Sequence, residues 1–165
     1  MTPRAGHYDR VVSSRRRVLI TALCGLLCLA ATAACGGSYT VALPEPDARV
    51  AGYCAALDGE LPGEVSGVPR RDPEPASELT AGWGQSVVLR CGVPEPAEDA
   101  DEDTDGLEMA GVSWSFARQA DGSARVTTTL RKAYVEVTLK GKYAYDSGPL
   151  FDLAPAIKSA VPDGI

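Results

Sequence analysis

The feature that most constrains the fold is an uncharged apolar run near the amino terminus. It covers residues 18–34 and directly follows Arg15, Arg16 and Arg17. A basic start, an apolar middle and a small-residue end are the three parts of a secretory signal. Because Lys and Arg beside an apolar span resist translocation, the arginines stay inside and the later residues are carried outside. The sequence therefore predicts that folding begins beyond this run, in an oxidising compartment.

The end of the run indicates a lipid anchor. Thr32, Ala33, Ala34 and Cys35 resemble the small-residue box that precedes the acylated cysteine of bacterial lipoproteins. Two or more acyl chains, each contributing about 0.8 kcal/mol per buried methylene, suffice for stable anchoring. The alternative is an uncleaved anchor helix over residues 18–34, which is at the lower limit of length for a span and has the same topology.

The route of export has two interpretations. Arg15, Arg16 and Arg17, followed by Val18 and Leu19, resemble a twin-arginine export signal, and general secretion is the alternative. With either route, we expect a signal peptide over residues 1–34. A lipidated Cys35 and a proline-bearing linker follow over residues 35–47, and a folded domain covers residues 48–165.

Cysteine usage agrees with this division of the chain. Of the five cysteines, Cys24 and Cys28 would leave with the signal and Cys35 would carry lipid, so Cys54 and Cys91 remain. Two cysteines in an oxidising compartment predict one disulfide. Free buried thiols and a redox pair are the alternatives, and the redox pair lacks the Cys-x-x-Cys spacing that it usually has.

Hydrophobic periodicity predicts the fold class. Helical spacing predicts two helices, over residues 47–61 and 152–161. A short apolar and β-branched run predicts a strand over 86–91, and alternation predicts three more, over 112–117, 126–130 and 134–140. Asp47 and Asp152 are the expected helix caps. We therefore expect a single α+β domain, with an antiparallel sheet of about four strands covered by two helices and one disulfide.

The negative charge is concentrated in one loop. The chain carries a formal charge of −6 and residues 1–34 contribute +4, so the exported part carries −10. Eight of its acidic residues lie in residues 95–108. Asp101, Asp103 and Asp105, followed by Gly106, match the first half of a calcium loop. The twelfth position is Val112 where that loop needs Glu, and a solvated acidic loop is the alternative.

Several short segments of the exported part resemble one family, catalogued as domain of unknown function 3515 (DUF3515). They are Cys54-Ala55-Ala56-Leu57, Leu61-Pro62, Val68-Pro69-Arg70-Arg71, Trp83-Gly84, Val88 to Pro94, Gly111 to Trp114 and Tyr134 to Val137. The resemblance implies an actinobacterial secreted or membrane-anchored protein, often a lipoprotein. It implies no activity, cofactor or catalytic residue.

Catalysis is not indicated by the residues of the exported part. Its sequence has no histidine, since the single histidine of the chain is His7, and it has no nucleophile elbow, phosphate loop or metalloprotease motif. We therefore predict no enzymatic activity, no catalytic residue and no cofactor. Glu136 is the acid to watch if a carboxylate does acid–base work. The acidic exported part also makes nucleic acid an unfavourable partner.

A binding surface is the remaining functional prediction. Trp83, Arg70, Arg71 and Arg90 are the candidate ligand surface, because tryptophan with nearby arginine suits carbohydrate or peptide recognition, and solvated arginines are the alternative. We expect a lipid-anchored protein on the extracytoplasmic face of the cell membrane. It would be a non-catalytic envelope module that binds or scaffolds a cell-wall component or an envelope protein. A cell-wall hydrolase that uses carboxylates is the alternative.

Overall fold

The structure, a computed structural model, describes residues 38–96 and 106–164. The predicted signal peptide, Cys35 and the calcium ligands Asp101, Asp103 and Asp105 lie outside the described residues. The elements in chain order are α1 Ala48–Glu60, β1 Glu64–Val65, β2 Val68–Pro69, β3 Thr80–Trp83, β4 Val87–Val93, β5 Leu107–Met109, β6 Val112–Arg118, β7 Ala124–Thr128, β8 Tyr134–Leu139, a 3-10 turn Gly141–Tyr143, and α2 Gly148–Ala160.

The main sheet has six antiparallel strands in the order β3-β4-β8-β7-β6-β5, and β1 pairs with β2 in a separate hairpin. The α+β class with two helices is confirmed, but the expected number of about four strands is wrong. The two additional strands, β3 and β5, are 4 and 3 residues long. They lie within a glycine- and proline-rich stretch and at the end of the acidic run. Runs this short carry no readable alternation, so only pairing with their neighbours makes them strands.

Helix α1 has the cap and the disulfide that its sequence predicts. The Asp47 side chain caps it by accepting hydrogen bonds from the N–H groups of Arg49 and Val50, at 2.8 and 2.9 Å. Cys54 on its buried face forms a disulfide with Cys91 of β4, with an S–S distance of 2.04 Å. The predicted disulfide is confirmed, and it ties the first helix to the second strand of the sheet.

Helix α2 begins earlier than predicted. It starts at Gly148 with Pro149 in its first turn, where the missing N–H costs nothing. Asp152 is therefore inside the helix and is not its cap. The Asp152 carboxylate instead accepts a hydrogen bond of 2.8 Å from the N–H of Ser66, in the β1–β2 turn.

Among the described residues, no helix has the length and apolar character that crossing a bilayer requires.

Alternation along the strands gives the sheet two different faces. The face toward the helices is apolar. Its register places Leu89, Val137, Val126 and Phe116 across four strands. Trp114 is fully buried in the same core. On the other face the same strands place polar and charged side chains, beginning with Arg90 of β4 opposite Glu136 of β8.

Candidate functional site

The segment before α1, residues 38–47, packs against the sheet. The Tyr39 hydroxyl donates a hydrogen bond to the carbonyl of Arg71 at 3.1 Å, and the Glu74 N–H donates to the Tyr39 carbonyl at 2.8 Å. Thr40 forms a parallel bridge with Glu74, and Pro44 is buried. The sequence predicted a short linker between the anchor and the domain over residues 35–47. The segment has instead found backbone partners in the loop before β3, so it belongs to the folded domain.

Gly82 of β3 makes room for this segment. A Cβ at position 82 would overlap the Tyr39 hydroxyl and lie 3.0 Å from the Arg71 carbonyl oxygen. The pKa of Tyr39 is raised, first because burial disfavours the phenolate and second because Asp72 is nearby. Tyr39 therefore lies against the strand as a neutral phenol and sets the position of the residues that follow it.

The segment forms one wall of an open groove, which we call the arginine groove. Its other wall and floor come from the face of β4, β7 and β8 that points away from the helices. Its volume is ≈ 280 Å³, and the lining consists of residues 39–42 together with Val88, Arg90, Arg125, Glu136, Thr138 and Lys140. The groove continues toward the β6–β7 turn, where Ala120 and Asp121 lie beside Arg125 and Lys140.

Glu136 holds two arginines in the arginine groove. Its Oε1 lies 3.1 Å from Nη1 of Arg90 and its Oε2 lies 3.5 Å from Nε of Arg125. Arg90 is directly opposite Glu136 in the register, and Arg125 reaches it diagonally, because Thr127 is the residue paired with Glu136 on β7. The Glu136 side chain is 11% exposed, whereas those of Arg90 and Arg125 are 28% and 43% exposed. The carboxylate thus lies at the bottom of the groove, and the two guanidinium groups lie above it, where a ligand can reach them.

Further hydrogen bonds orient the two guanidinium groups. Nε of Arg90 donates to the carbonyl of Ala42 at 3.1 Å, which fastens the groove wall to its floor. Nη2 of Arg125 donates to the side-chain oxygen of Gln119 at 2.9 Å. Each arginine has five N–H donors, and hydrogen bonds to described residues engage two on Arg90 and one on Arg125, whose Nε lies in the ion pair with Glu136. Both groups are therefore held in place, and within the described part of the chain each has donors that are not engaged.

The charge of the arginine groove is opposite to that of the chain. Arg90, Arg125 and Lys140 are cationic, and Glu136 is the single carboxylate among the described lining residues. The main part of the groove therefore carries a formal +2 in a chain of −6, and Asp121 in its continuation lowers the sum to +1. Held guanidinium groups of this kind suit the planar oxygens of a carboxylate or phosphate. Within the described ranges, no group of three metal-ligating side chains comes together.

The four residues predicted as a ligand surface do not form one. Trp83 is fully buried, and its indole N–H donates to the Pro62 carbonyl at 3.0 Å, so its ring faces the core and is not available to a ligand. Arg70 forms ion pairs with Asp58 and Asp72. Burial by itself would lower the pKa of Arg70, but the bonds to these two carboxylates raise it above its usual value. Arg70 therefore has a structural role.

Of the predicted surface residues, Arg90 is the one that lines the arginine groove. Arg71 lies beside it through its main chain, whose carbonyl receives the Tyr39 hydrogen bond. The sequence analysis missed Tyr39, Arg125 and Lys140. A signal for Arg125 existed, because it lies between the apolar Ala124 and Val126, and neighbouring side chains of a strand point to opposite faces of the sheet.

A second concavity lies on the helix-bearing side of the sheet. This apolar cleft has a volume of ≈ 180 Å³, and its lining includes Leu107, Met109, Phe116 and Leu150. Tyr145 at its margin is 66% exposed and stacks under the guanidinium of Arg118, 5.2 Å from the ring centre. The apolar cleft and the arginine groove therefore lie on opposite sides of the sheet.

Fold and site together define a class: a disulfide-linked α+β domain with helices on one side of an antiparallel sheet and a cationic groove on the other. The family described as "Protein of unknown function (DUF3515)" matches residues 17–165. The chain belongs to this family. Searches of curated proteins and of solved structures each found no match.

Proposed function

We propose that this protein is a lipid-anchored domain on the extracytoplasmic face of the cell membrane, and that it is a non-catalytic binding module whose ligand site is the arginine groove. The buried Cys54–Cys91 disulfide supports export, because such bonds persist in oxidising compartments. The basic and apolar residues before Cys35 support a membrane anchor. The module would bind a component of the cell envelope. This component would be part of the cell wall, another envelope protein or another envelope molecule.

The observation that carries the proposal is the arrangement of charge in the groove. Arg90 and Arg125 are each oriented by a contact to Glu136 and by a second contact, to Ala42 and Gln119 respectively. Because both groups are already fixed, a ligand that bonds to them loses little additional side-chain entropy. Lys140 adds a third positive charge on the same surface. The chemistry fits a ligand with an exposed carboxylate or phosphate group.

The same geometry disfavours a hydrolase that uses a pair of carboxylates. Such enzymes place two carboxyl groups on either side of the bond that breaks, at separations of about 5 to 10 Å. Glu136 is the single carboxylate among the described residues that line the main part of the arginine groove, and Asp121 in its continuation is bonded to Ser123. Glu136 is also engaged by two guanidinium groups, and proton transfer would require it to leave one of them. Binding is the function that these contacts support better.

Two measurements test the proposal. The first is the intact mass of the full chain expressed in a lipoprotein-processing bacterium and recovered from membranes. We expect cleavage before Cys35 and the added mass of a diacylglyceryl group, and we expect Cys35→Ser to abolish both. An unmodified product in the cytosol, with residues 1–34 still attached, would refute the anchor.

The second measurement is a titration of the purified chain with inorganic phosphate, followed through the NMR signals of the arginine Nε–H groups. We expect saturable shifts for Arg90 and Arg125. Arg125→Gln should weaken the shift of the Arg90 signal, and the matched variant Arg118→Gln should not, because Arg118 lies by Tyr145 on the helix-bearing side. Shifts that are linear in phosphate concentration and equal in both variants would contradict the ligand site.

A further inference from the structure

The distance from the proposed anchor to the folded domain is very short. Cys35 precedes Ser38 by three residues, and a fully extended chain spans at most about 3.6 Å per residue, so this tether is no longer than about 11 Å. A compact domain of this length is roughly 35 Å across. The domain is therefore wider than its tether is long, and the side on which residues 38–47 lie has to stay close to the bilayer.

That side is the one with the arginine groove. Residues 39–42 form the groove wall, and the Ala42 carbonyl is bonded directly to Arg90. Ala42 is seven residues from Cys35, which limits the separation to about 25 Å. By contrast, the apolar cleft lies on the opposite side of the sheet, behind its full thickness. The tether thus orients the cations of the groove toward the headgroups.

Charge and apolar surface on this side both fit a bilayer that contains anionic lipid. Each Lys or Arg near an anionic membrane surface contributes about 1 kcal/mol of attraction, and the three cations of the groove outnumber its two acids, Glu136 and Asp121. Leu43, the residue after the one bonded to Arg90, is 40% exposed. An exposed leucine on the membrane-proximal segment can enter the boundary between headgroups and acyl chains, where it is better solvated than in water.

We infer that the arginine groove faces the bilayer and binds the phosphate of an anionic phospholipid headgroup, so that the domain lies flat on the membrane that anchors it. This inference rests on the proposed function, because lipidation of Cys35 sets the tether length. It names the ligand of the same groove: the phosphate group comes from a lipid, and the wall-facing side of the domain is the one that carries the helices and the apolar cleft.

The test measures which side of the anchored protein is near the headgroups. The mature lipidated chain is placed in vesicles of phosphatidylglycerol and phosphatidylcholine, or of phosphatidylcholine alone, that contain a headgroup-attached spin label. A fluorescent dye is attached either at Ala120→Cys, on the rim of the extended groove, or at Ser147→Cys, on the margin of the apolar cleft. We expect several-fold stronger quenching at position 120 than at position 147 in the anionic vesicles.

Charge variants test the role of the groove itself. Arg125→Gln should lower quenching at position 120, and so should high salt or phosphatidylcholine alone, because screening and loss of anionic lipid both remove the attraction. Arg118→Gln removes one positive charge from the other side and should leave the quenching unchanged. A Leu43→Ser variant should lower it as well, since its apolar contribution is lost.

Outcomes against the inference are distinct from those against the proposed function. Equal quenching at both positions, or stronger quenching at position 147, would overturn the orientation while the lipidated mass of the protein still supports the anchor. Quenching at position 120 that is identical with and without phosphatidylglycerol would overturn the headgroup phosphate as ligand. Saturable phosphate shifts together with either result would indicate a soluble anion in the groove. An unlipidated chain would refute the proposed function first.

Discussion

Gly92 and Gly122 form a natural matched pair for testing how the amino-terminal segment is held. Both have left-handed backbones, with φ of +83° and +82°. They differ in surroundings. A Cβ at Gly92 would lie 2.8 Å from Cβ and Cγ of Pro46, whereas a Cβ at Gly122 would meet nothing within 4 Å. Alanine at each position therefore introduces the same backbone strain, and only one of the two adds a steric conflict.

The magnitudes follow from these surroundings. Left-handed backbone costs an ordinary residue about 1–2 kcal/mol, and this applies to both variants. At Gly92 the contact to Pro46 is closer than carbon atoms tolerate, and overpacking of this kind adds about 1–3 kcal/mol. We expect Gly92→Ala to lower the free energy of unfolding by about 2–5 kcal/mol and Gly122→Ala by about 1–2 kcal/mol.

The assay is urea unfolding of the full chain, followed by the fluorescence of the buried Trp83 and Trp114. Hydrogen exchange of the segment provides the second readout. In Gly92→Ala, displacement of Pro46 should speed exchange at the Glu74 N–H, whose partner is the Tyr39 carbonyl, more than unfolding alone accounts for. Equal destabilisation in both variants, with no selective exchange, would refute the packing of residues 38–47 on the domain.

Two further predictions concern the core linkage and pH. Cys54→Ala with Cys91→Ala removes a cross-link between residues 37 positions apart, and the chain-entropy relation gives a loss of about 4 kcal/mol in the free energy of unfolding. Calorimetry should show that each single variant loses as much stability as the double variant. A loss below about 1 kcal/mol would contradict the chain-entropy mechanism. The pKa of Asp121 is lowered, first by the Ser123 hydroxyl and then by the Ser123 N–H. The contribution of Asp121 to stability is therefore present above the ordinary pKa of 3.8 and is lost as pH falls through the lower value in the folded state. The melting temperatures of wild type and Asp121→Asn should therefore converge in acid. A difference in melting temperature that does not change with pH would contradict this role.

Several parts of the fold could be predicted because they depend on local chemistry. Asp47 caps α1 with its own side chain, and helical spacing alone puts Cys54 on the buried face of that helix. Alternation along β6, β7 and β8 sorted their residues into an apolar and a polar face before any pairing was known. The disulfide followed from counting cysteines in a domain that the sequence predicts to be exported.

The parts that could not be predicted depend on pairing between distant residues. Strands β3 and β5 are too short to show a period, and they are strands only because β4 and β6 offer free hydrogen-bonding edges. Residues 38–47 have the composition of a linker. They are held by the loop before β3 and by space that Gly82 and Gly92 leave open, and nothing in their own sequence indicates either.

The arginine groove shows the same division. The sequence by itself determined that Arg90, Arg125 and Glu136 point away from the apolar residues next to them, since side-chain direction alternates along any strand. Only the tertiary structure decided that they meet. The order β4-β8-β7 puts Glu136 between the two arginines, and the register brings Arg90 directly opposite it. Strand order and register are set by the packing of the whole core, and for that reason no single segment of the sequence contains them.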